Sequence, residues 1–421
     1  MKKKEWCGMV DTGIFDRITK RIDSYKNDMI ELQINLTAIP ALSPDNGGDG
    51  EQRKAQFLTT VLREFGFNNI KEYCAPDERV TSGIRPNIVA TIPGKNHDKT
   101  VWIMTHMDIV PPGELNLWND DPYKGYVKEG KIYGRGTEDN QQDLVASIFA
   151  AKAFRDEGIM PETSVGLIFV ADEETGSKHG LTYILENYPD LFQQSDIIIV
   201  PDFGDIEGSA IEIAEKSILW LRFKTTGKQC HASKPSLGKN AFTAASHLVV
   251  KLNELSQIFD ISDPIYQPPE STFEPTKKDA NIPNINTIPG EDVFYLDCRI
   301  LPVYTLSQIE SKIRDMADKV EQQFGVSIEI TPVQHIQAPP PTSHDAYVVS
   351  GLRHAIKAVY DIHAVPVGIG GGTIAAVFRQ HGYQAAVWSK LNQMAHQPNE
   401  YCLIENMIGN AKVYAHLLLQ K

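Results

Sequence analysis

The sequence predicts an α/β chain in which a large domain on a mostly parallel sheet is interrupted by a smaller antiparallel insert. Three observations lead there. Toward both ends of the chain, short runs that are apolar throughout alternate with amphipathic helical stretches, the pattern of strands covered on both faces. Between Lys216 and the proline-rich "APPPTS", the strands alternate apolar and polar instead. The length, 421 residues, exceeds what one hydrophobic core usually organises.

In chain order, residues 16–36 carry Ile, Met and Leu on one side and mixed charge on the other, which predicts a helix. "EQRKAQFLTTVLREFGF" predicts a second helix, closed near Gly66. "PNIVATIPG" and "KTVWIMTHMDIV" are apolar strands bounded by Gly and Pro. A long helix is expected over 140–157, followed by the strand "SVGLIFVADEE", another helix and the strand "SDIIIVPDFGD". The insert then reads as the strand "SILWLRFKTTG", a helix in "NAFTAASHLVVKLNELSQ", a hairpin around Pro289-Gly290, the helix "TLSQIESKIRDMADKVEQQFG" and the strand "VSIEITPV". That order, βαββαβ, is ferredoxin-like, with two helices on one face of an antiparallel sheet. The expected division is 1–216 with 336–421 for the large domain and 217–335 for the insert.

Composition limits the function. A formal net charge of -13 offers no basic surplus to displace counterions, so no nucleic-acid partner is expected. No apolar run reaches the roughly 20 residues needed to span a bilayer, and "MKKKEWCGMVDTGIF" lacks a signal-peptide core, so no membrane partner is expected. Five scattered cysteines (Cys7, Cys74, Cys230, Cys298, Cys402) without Cys-x-x-Cys pairing suit reduced thiols and a cytoplasmic protein. No Gly-rich phosphate loop ending in Lys follows a strand, which argues against a nucleotide enzyme.

Polar groups gather where the strands of the large domain should end: His106 and Asp108, Glu173 and Glu174, and Asp202. Open α/β sheets bind ligands outside the carboxyl ends of their strands. Adjacent glutamates at a buried strand end repel each other unless a cation intervenes. With a metal present, one carboxylate can ligate while its neighbour takes a proton from water. Asp139, in "YGRGTEDNQQD", reads equally as a helix N-cap, and His396, in "NQMAHQPNEY", as a surface histidine. Asp205 competes with Asp202 within "PDFGD".

The motifs "HMDIVPPG", "YGRGTEDNQ", "ADEETGS", "PDFG", "TGKQCHASKP", "GGGT" and "AHQPNE" occur in this order. Together they resemble the dinuclear metallohydrolases that include aminoacylase, acetylornithine deacetylase, succinyl-diaminopimelate desuccinylase, carnosinase and related di- and tripeptidases. The resemblance covers nearly the whole chain and implies a catalytic domain of zinc-peptidase type with a ferredoxin-like lid. It implies that His106 and Asp202 hold one metal, Glu174 and His396 a second, and that Asp139 bridges both. Asp108 would orient His106, and Glu173 would be the general base. The nitrogen and oxygen ligand set suits two Zn²⁺ ions, with Mn²⁺ or Co²⁺ as alternatives.

In the lid, the resemblance assigns His231 to the oxyanion, from its own subunit or from a partner. It assigns Asn286 and Arg299 to a substrate carboxylate, with Arg299 equally readable as a structural ion pair. Gly371, Gly372 and Thr373 would bring backbone amides to the substrate, or form a plain glycine-rich turn. "GGGTIAAVF" departs from the deacetylase and desuccinylase branches, where Ser or Thr and then an acidic residue tend to follow, so the substrate stays open. The expected activity is hydrolysis of an amide bond in a small N-acyl amino acid or short peptide with a free carboxylate. Dipeptidase or carboxypeptidase action is the alternative to deacylation, and a non-catalytic binding module of the same fold is the reading from another class. A homodimer through the lid is expected.

Overall fold

The computed structural model describes residues 10–421, so the basic start and Cys7 lie outside the described residues. Two compact units are present. The first takes the described residues up to Ile213, with Thr342–Pro366 and Thr373–Lys421, and the second takes Ala214–Pro341 with Val367–Gly372. The second unit thus includes part of the glycine-rich segment, which the sequence reading left with the large domain.

The first unit is built on a sheet with strand order Asn69–Pro76, Ile84–Ile92, Thr163–Val170, Asn96–His106, Ile197–Asp205, Ala385–Lys390 and the start of Ala210–Glu215. Thr163–Val170, Asn96–His106, Ile197–Asp205 and Ala385–Lys390 run parallel at its centre, with antiparallel neighbours on either side. Their apolar runs are buried, as in Val101-Trp102-Ile103-Met104 and Ile197-Ile198-Ile199-Val200. Trp102 sits opposite Gly166 in the paired strand, and a Cβ at Gly166 would come within 1.9 Å of the indole ring. Glycine here makes room for the tryptophan.

The single helix expected over 16–36 is two, Thr12–Ser24 and Lys26–Thr37, which meet at Tyr25. The long helix occupies Gln142–Asp156 and is buried along most of its length. One wide turn, Thr137–Gln141, precedes it, and Asp139 (φ -111°, ψ 92°) and Asn140 leave the helical conformation there. Gly136 enters that turn at φ 83°, a left-handed conformation that favours glycine. A small sheet pairs Lys131–Tyr133 with Tyr401–Leu403, so Glu400 is delivered beside this turn and its carbonyl accepts from the Gly134 amide at 3.0 Å.

The second unit is a four-stranded antiparallel sheet, in the order Thr272–Lys278, Glu291–Ile300, Ser217–Thr226 and Ser327–Ile336. Helices Ala241–Leu252 and Leu306–Phe324 contribute Ala244, Leu248, Ile309, Ile313 and Met316 to the core against it, and Phe223 stacks on Phe294 at 4.6 Å. Leu306–Phe324 begins at a capping box of Thr305 with Gln308 and stops at Gly325, φ 65°. The order is βαββαβ, but the hairpin expected around Pro289-Gly290 is absent. Thr287–Ile288 pairs instead with Cys230–His231, and Glu291–Ile300 runs antiparallel between Thr272–Lys278 and Ser217–Thr226. That strand hides in the sequence because Pro275 bulges it and its outer half, "EPTKK", is exposed.

Cys74, Cys230, Cys298 and Cys402 are free thiols. No helix among the described residues is long and apolar enough to cross a membrane.

Candidate metal centre

Strand ends of the first unit converge on one cluster. His106, the last residue of Asn96–His106, is 1% exposed and cannot turn to water. Its Nδ1–H donates to the Asp108 carbonyl oxygen at 3.0 Å, which leaves the Nε2 lone pair facing outward. Nε2 lies 3.0 Å from Asp139 Oδ1 and 3.4 Å from Asp202 Oδ1. The other Asp139 oxygen, Oδ2, lies 3.2 Å from His396 Nε2, and that nitrogen is 3.1 Å from Glu174 Oε2. Asp139 therefore offers one oxygen to each imidazole. Ligand atoms of His106, Glu173 and Asp202 lie within 4.8 Å of one another, as do those of His106, Asp139 and Glu174.

Asp205 is placed elsewhere. Its carboxylate closes a turn by accepting from the Ser209 amide at 2.7 Å and hydroxyl at 2.8 Å. Asp108 does more than face an imidazole. Its backbone carbonyl orients the ring, while its buried carboxylate, 3.5 Å from Nδ1, accepts from the Glu173 amide at 3.1 Å and the Glu174 amide at 3.0 Å. The turn carrying the two glutamates is thus fixed from beneath.

The residue before them, Asp172, adopts φ 62°, unfavourable for a side chain with a Cβ. Local bonds hold it there. Its carboxylate accepts from the His179 amide at 2.9 Å and from the Thr175 hydroxyl, and Arg85 stands 3.4 Å away.

Burial without enough positive charge shapes the protonation. Burial, then the neighbouring Asp202 charge, pushes the Glu173 carboxyl well above its ordinary range. Burial raises Glu174 to about 7, against the His396 hydrogen bond, and raises Asp202 against that of His106. Burial would raise Asp139 too, but the hydrogen bonds and charge of His106 and His396 outweigh it and hold the carboxyl below the usual range. Donating to the carboxylates of Asp139 and Glu174 lifts His396 to about 10. Burial disfavours charge on His106, yet Asp108, Asp139 and Asp202 together raise it well above 6.5. Five carboxylates around two imidazoles are short of cations, and protons make up the difference.

A divalent cation fits this arrangement by a separate sign. Glu174 Oε1 is buried with no hydrogen-bond partner. An orphaned carboxylate oxygen inside a protein is costly, and a cation is the partner its chemistry suits. His106, Asp139, Glu174, Asp202 and His396 could hold metal, and binding would release protons from the same groups.

Two supports were not legible beforehand. Glu400 is fully buried and accepts from the Gly136, Glu138 and Asp139 amides at 2.9, 2.9 and 3.1 Å, and from Arg135 at 2.7 Å. It is the anion around which the Asp139 turn is wrapped. Asn140 donates to the Pro201 carbonyl at 2.7 Å and to Asp202 at 3.2 Å, joining that turn to the next strand end. Glu400 did stand in "AHQPNE", the only available signal.

The second unit holds the remaining residues singled out in the sequence, apart from Thr373. His231 is exposed, and its Nδ1 accepts from the Ser233 amide at 3.1 Å. Asn286 lies beside it on the two-strand ribbon, its carbonyl accepting from the Ala232 amide at 2.9 Å. Arg299 is engaged: Nε and Nη2 donate to both oxygens of Asp297 at 2.7 and 3.0 Å, and Nη1 donates to the Gly370 carbonyl at 3.0 Å. A Cβ at Gly371 or Gly372 would meet no atom within 4 Å, so packing alone does not demand glycine there. Thr373, in the first unit, donates its hydroxyl to Glu212 at 3.2 Å.

The fold and this cluster are what a metallohydrolase would present. Residues 102–420 match Peptidase family M20/M25/M40, and the chain belongs to that family. It is 45% identical to an uncharacterized metallohydrolase of Methanococcus maripaludis over 94% of this chain and 99% of the relative. A second uncharacterized metallohydrolase, from Methanocaldococcus jannaschii, is 40% identical over 93% and 98%. Succinyl-diaminopimelate desuccinylase of Roseobacter denitrificans is 27% identical over 93% and 98%. The fold matches that of aminopeptidase PepT from Bacillus cereus (TM-score 0.73, 16% identity, 94% and 98% covered) and human carnosine dipeptidase 1 (TM-score 0.71, 17% identity, 97% and 98% covered). The protein is a hydrolase acting on peptide or amide bonds.

Proposed function

We propose that the protein hydrolyses the amide bond of a small N-acyl amino acid or short peptide at a site for two divalent ions. The observation that carries this reading is the division of Asp139, with Oδ1 toward His106 and Oδ2 toward His396. His106 and Asp202 would hold one ion, Glu174 and His396 the other, and Asp139 both. Zn²⁺ suits the nitrogen and oxygen donors, and Mn²⁺ or Co²⁺ could replace it. Such a pair of ions would polarise the scissile carbonyl and acidify a water.

Glu173 is the group left over. It shares the turn of Glu174, with both amides held by Asp108. It would take the proton of the attacking water and return it to the amine nitrogen as the C–N bond breaks, giving a carboxylate and a free amine. His231 would donate to the developing oxyanion. The exposed edge strand Ser327–Ile336 offers a pairing surface for a homodimer.

The test follows amine release from N-acyl amino acids and dipeptides by metal-loaded wild type beside Glu173→Gln. Wild type should cleave part of the panel. The variant should lose about 10²–10⁴-fold in kcat while keeping two ions per chain. Equal rates would remove Glu173 as the base.

A further inference from the structure

Next to the ligand cluster the first unit contains a cavity of about 260 Å³ that none of the assigned roles uses. Resting on the amide-hydrolase reading above, we propose that it is a substrate subsite for an uncharged, mainly apolar group, and that it rejects a group ending in a carboxylate. Asp139 and Asp202 line it, so whatever fills it lies against the proposed reaction centre. Pro201, Phe203, Leu391 and Ala395 supply its apolar lining. The space exceeds the ~150 Å³ apolar cavity that takes up benzene, so a branched aliphatic or phenyl group has room.

Charge supports the same choice. No Lys, Arg or His is among the lining residues. Neighbouring cations along the chain are committed elsewhere: Arg135 to Glu400 at 2.7 Å, and the Lys390 amine 4.6 Å above the Tyr360 ring centre. Glu138 also lines the cavity, its carboxylate fixed in place by the amides of Asn392 and Met394. Ions held by Asp139 and Asp202 would offset those two charges, and the lining keeps no basic side chain to pair with an added one. A substrate carboxylate entering here would lose water and find no basic side chain in the lining to replace it. A desuccinylase must accommodate an acyl group that ends in a carboxylate, and this cavity is built against one. Side-group choice is therefore where this chain should differ from the desuccinylase it is 27% identical to.

The experiment compares length-matched substrates, varied on one side of the scissile bond at a time. On the acyl side, butyryl is set against succinyl, and on the amine side, leucine against glutamate. The same compounds are titrated calorimetrically into metal-loaded Glu173→Gln, so that binding is read apart from turnover. On one of the two sides, the apolar member should win by at least about tenfold in kcat/KM and bind more tightly. Gln393→Arg, at an exposed lining position, should shrink or invert that ratio on the same side. Ala395→Arg repeats the test should the first variant fold poorly. If the carboxylate member is cleaved as well or better on both sides, or the arginine variants change both members alike, the subsite assignment is overturned and the amide-hydrolase reading survives. If metal-loaded wild type cleaves nothing, that reading falls and takes the subsite with it.

Discussion

The first unit's cluster and the second unit's ribbon and sheet hold their polar groups in opposite ways. In the first, His106, Asp108 and Glu400 are buried; amides from distant segments fix the Asp108 and Glu400 carboxylates, and the Asp108 carbonyl two residues on holds His106. In the second, His231 stands exposed with a neighbour two residues away as partner, and Arg299 is tied to Asp297 in its own strand and to the Gly370 carbonyl. A metal centre needs ligand atoms placed within fractions of an ångström before the ion arrives, and only a cross-braced interior supplies that.

Removing the deepest brace should have the largest effect. Glu400→Ala leaves Arg135 buried and unpaired and three amides without an acceptor, at a cost of about 3–5 kcal/mol. Chemical denaturation should show that loss, and metal analysis should show fewer than two ions per chain. Full metal content in a stable variant would mean the turn holds itself. Next comes His231→Ala, expected to lower kcat by about 10²–10³-fold. The unfolding midpoint should shift by no more than about 0.5 kcal/mol, because the side chain is exposed. A shift as large as that of Glu400→Ala would erase the contrast between the two regions.

The smallest effect is a pH dependence confined to the first unit. His416 is buried in the last helix, and its Nδ1 accepts from Gln420 at 2.9 Å. Burial, then the charge of His354, lowers it from 6.5 to about 4. The unfolded chain takes a proton below 6.5 that the folded chain refuses until about 4, so stability falls as pH drops through that window. Between pH 7 and pH 5 the loss is on the order of 2 kcal/mol. His416→Leu should flatten that part of the curve, and an unchanged slope would assign it to other groups.

The same contrast marks what the sequence could reveal. The strand ends of the first unit are legible because a buried strand is an apolar run, and a polar residue closing it is conspicuous. Glu173, Glu174, His106 and Asp202 all stand out that way. Glu400 does not. Its meaning comes from amides more than 260 positions earlier, brought close by the pairing of Tyr401–Leu403 with Lys131–Tyr133. Asn140 is silent for the same reason. In the second unit the helices were plain from their apolar stripes, but Thr272–Lys278 carries a proline, a bulge and lysines where a sheet edge would normally alternate. A turn signal at Pro289-Gly290 then suggested the wrong partner.

Asp108 serves two masters through one residue, its carbonyl steering the His106 ring and its carboxylate gripping the amides of Glu173 and Glu174. The tilt of the His106 ring and the placement of the Glu173–Glu174 turn therefore depend on one residue. A substitution that retunes either retunes both, so variants at this position should be inherited, selected and engineered as changes to the pair.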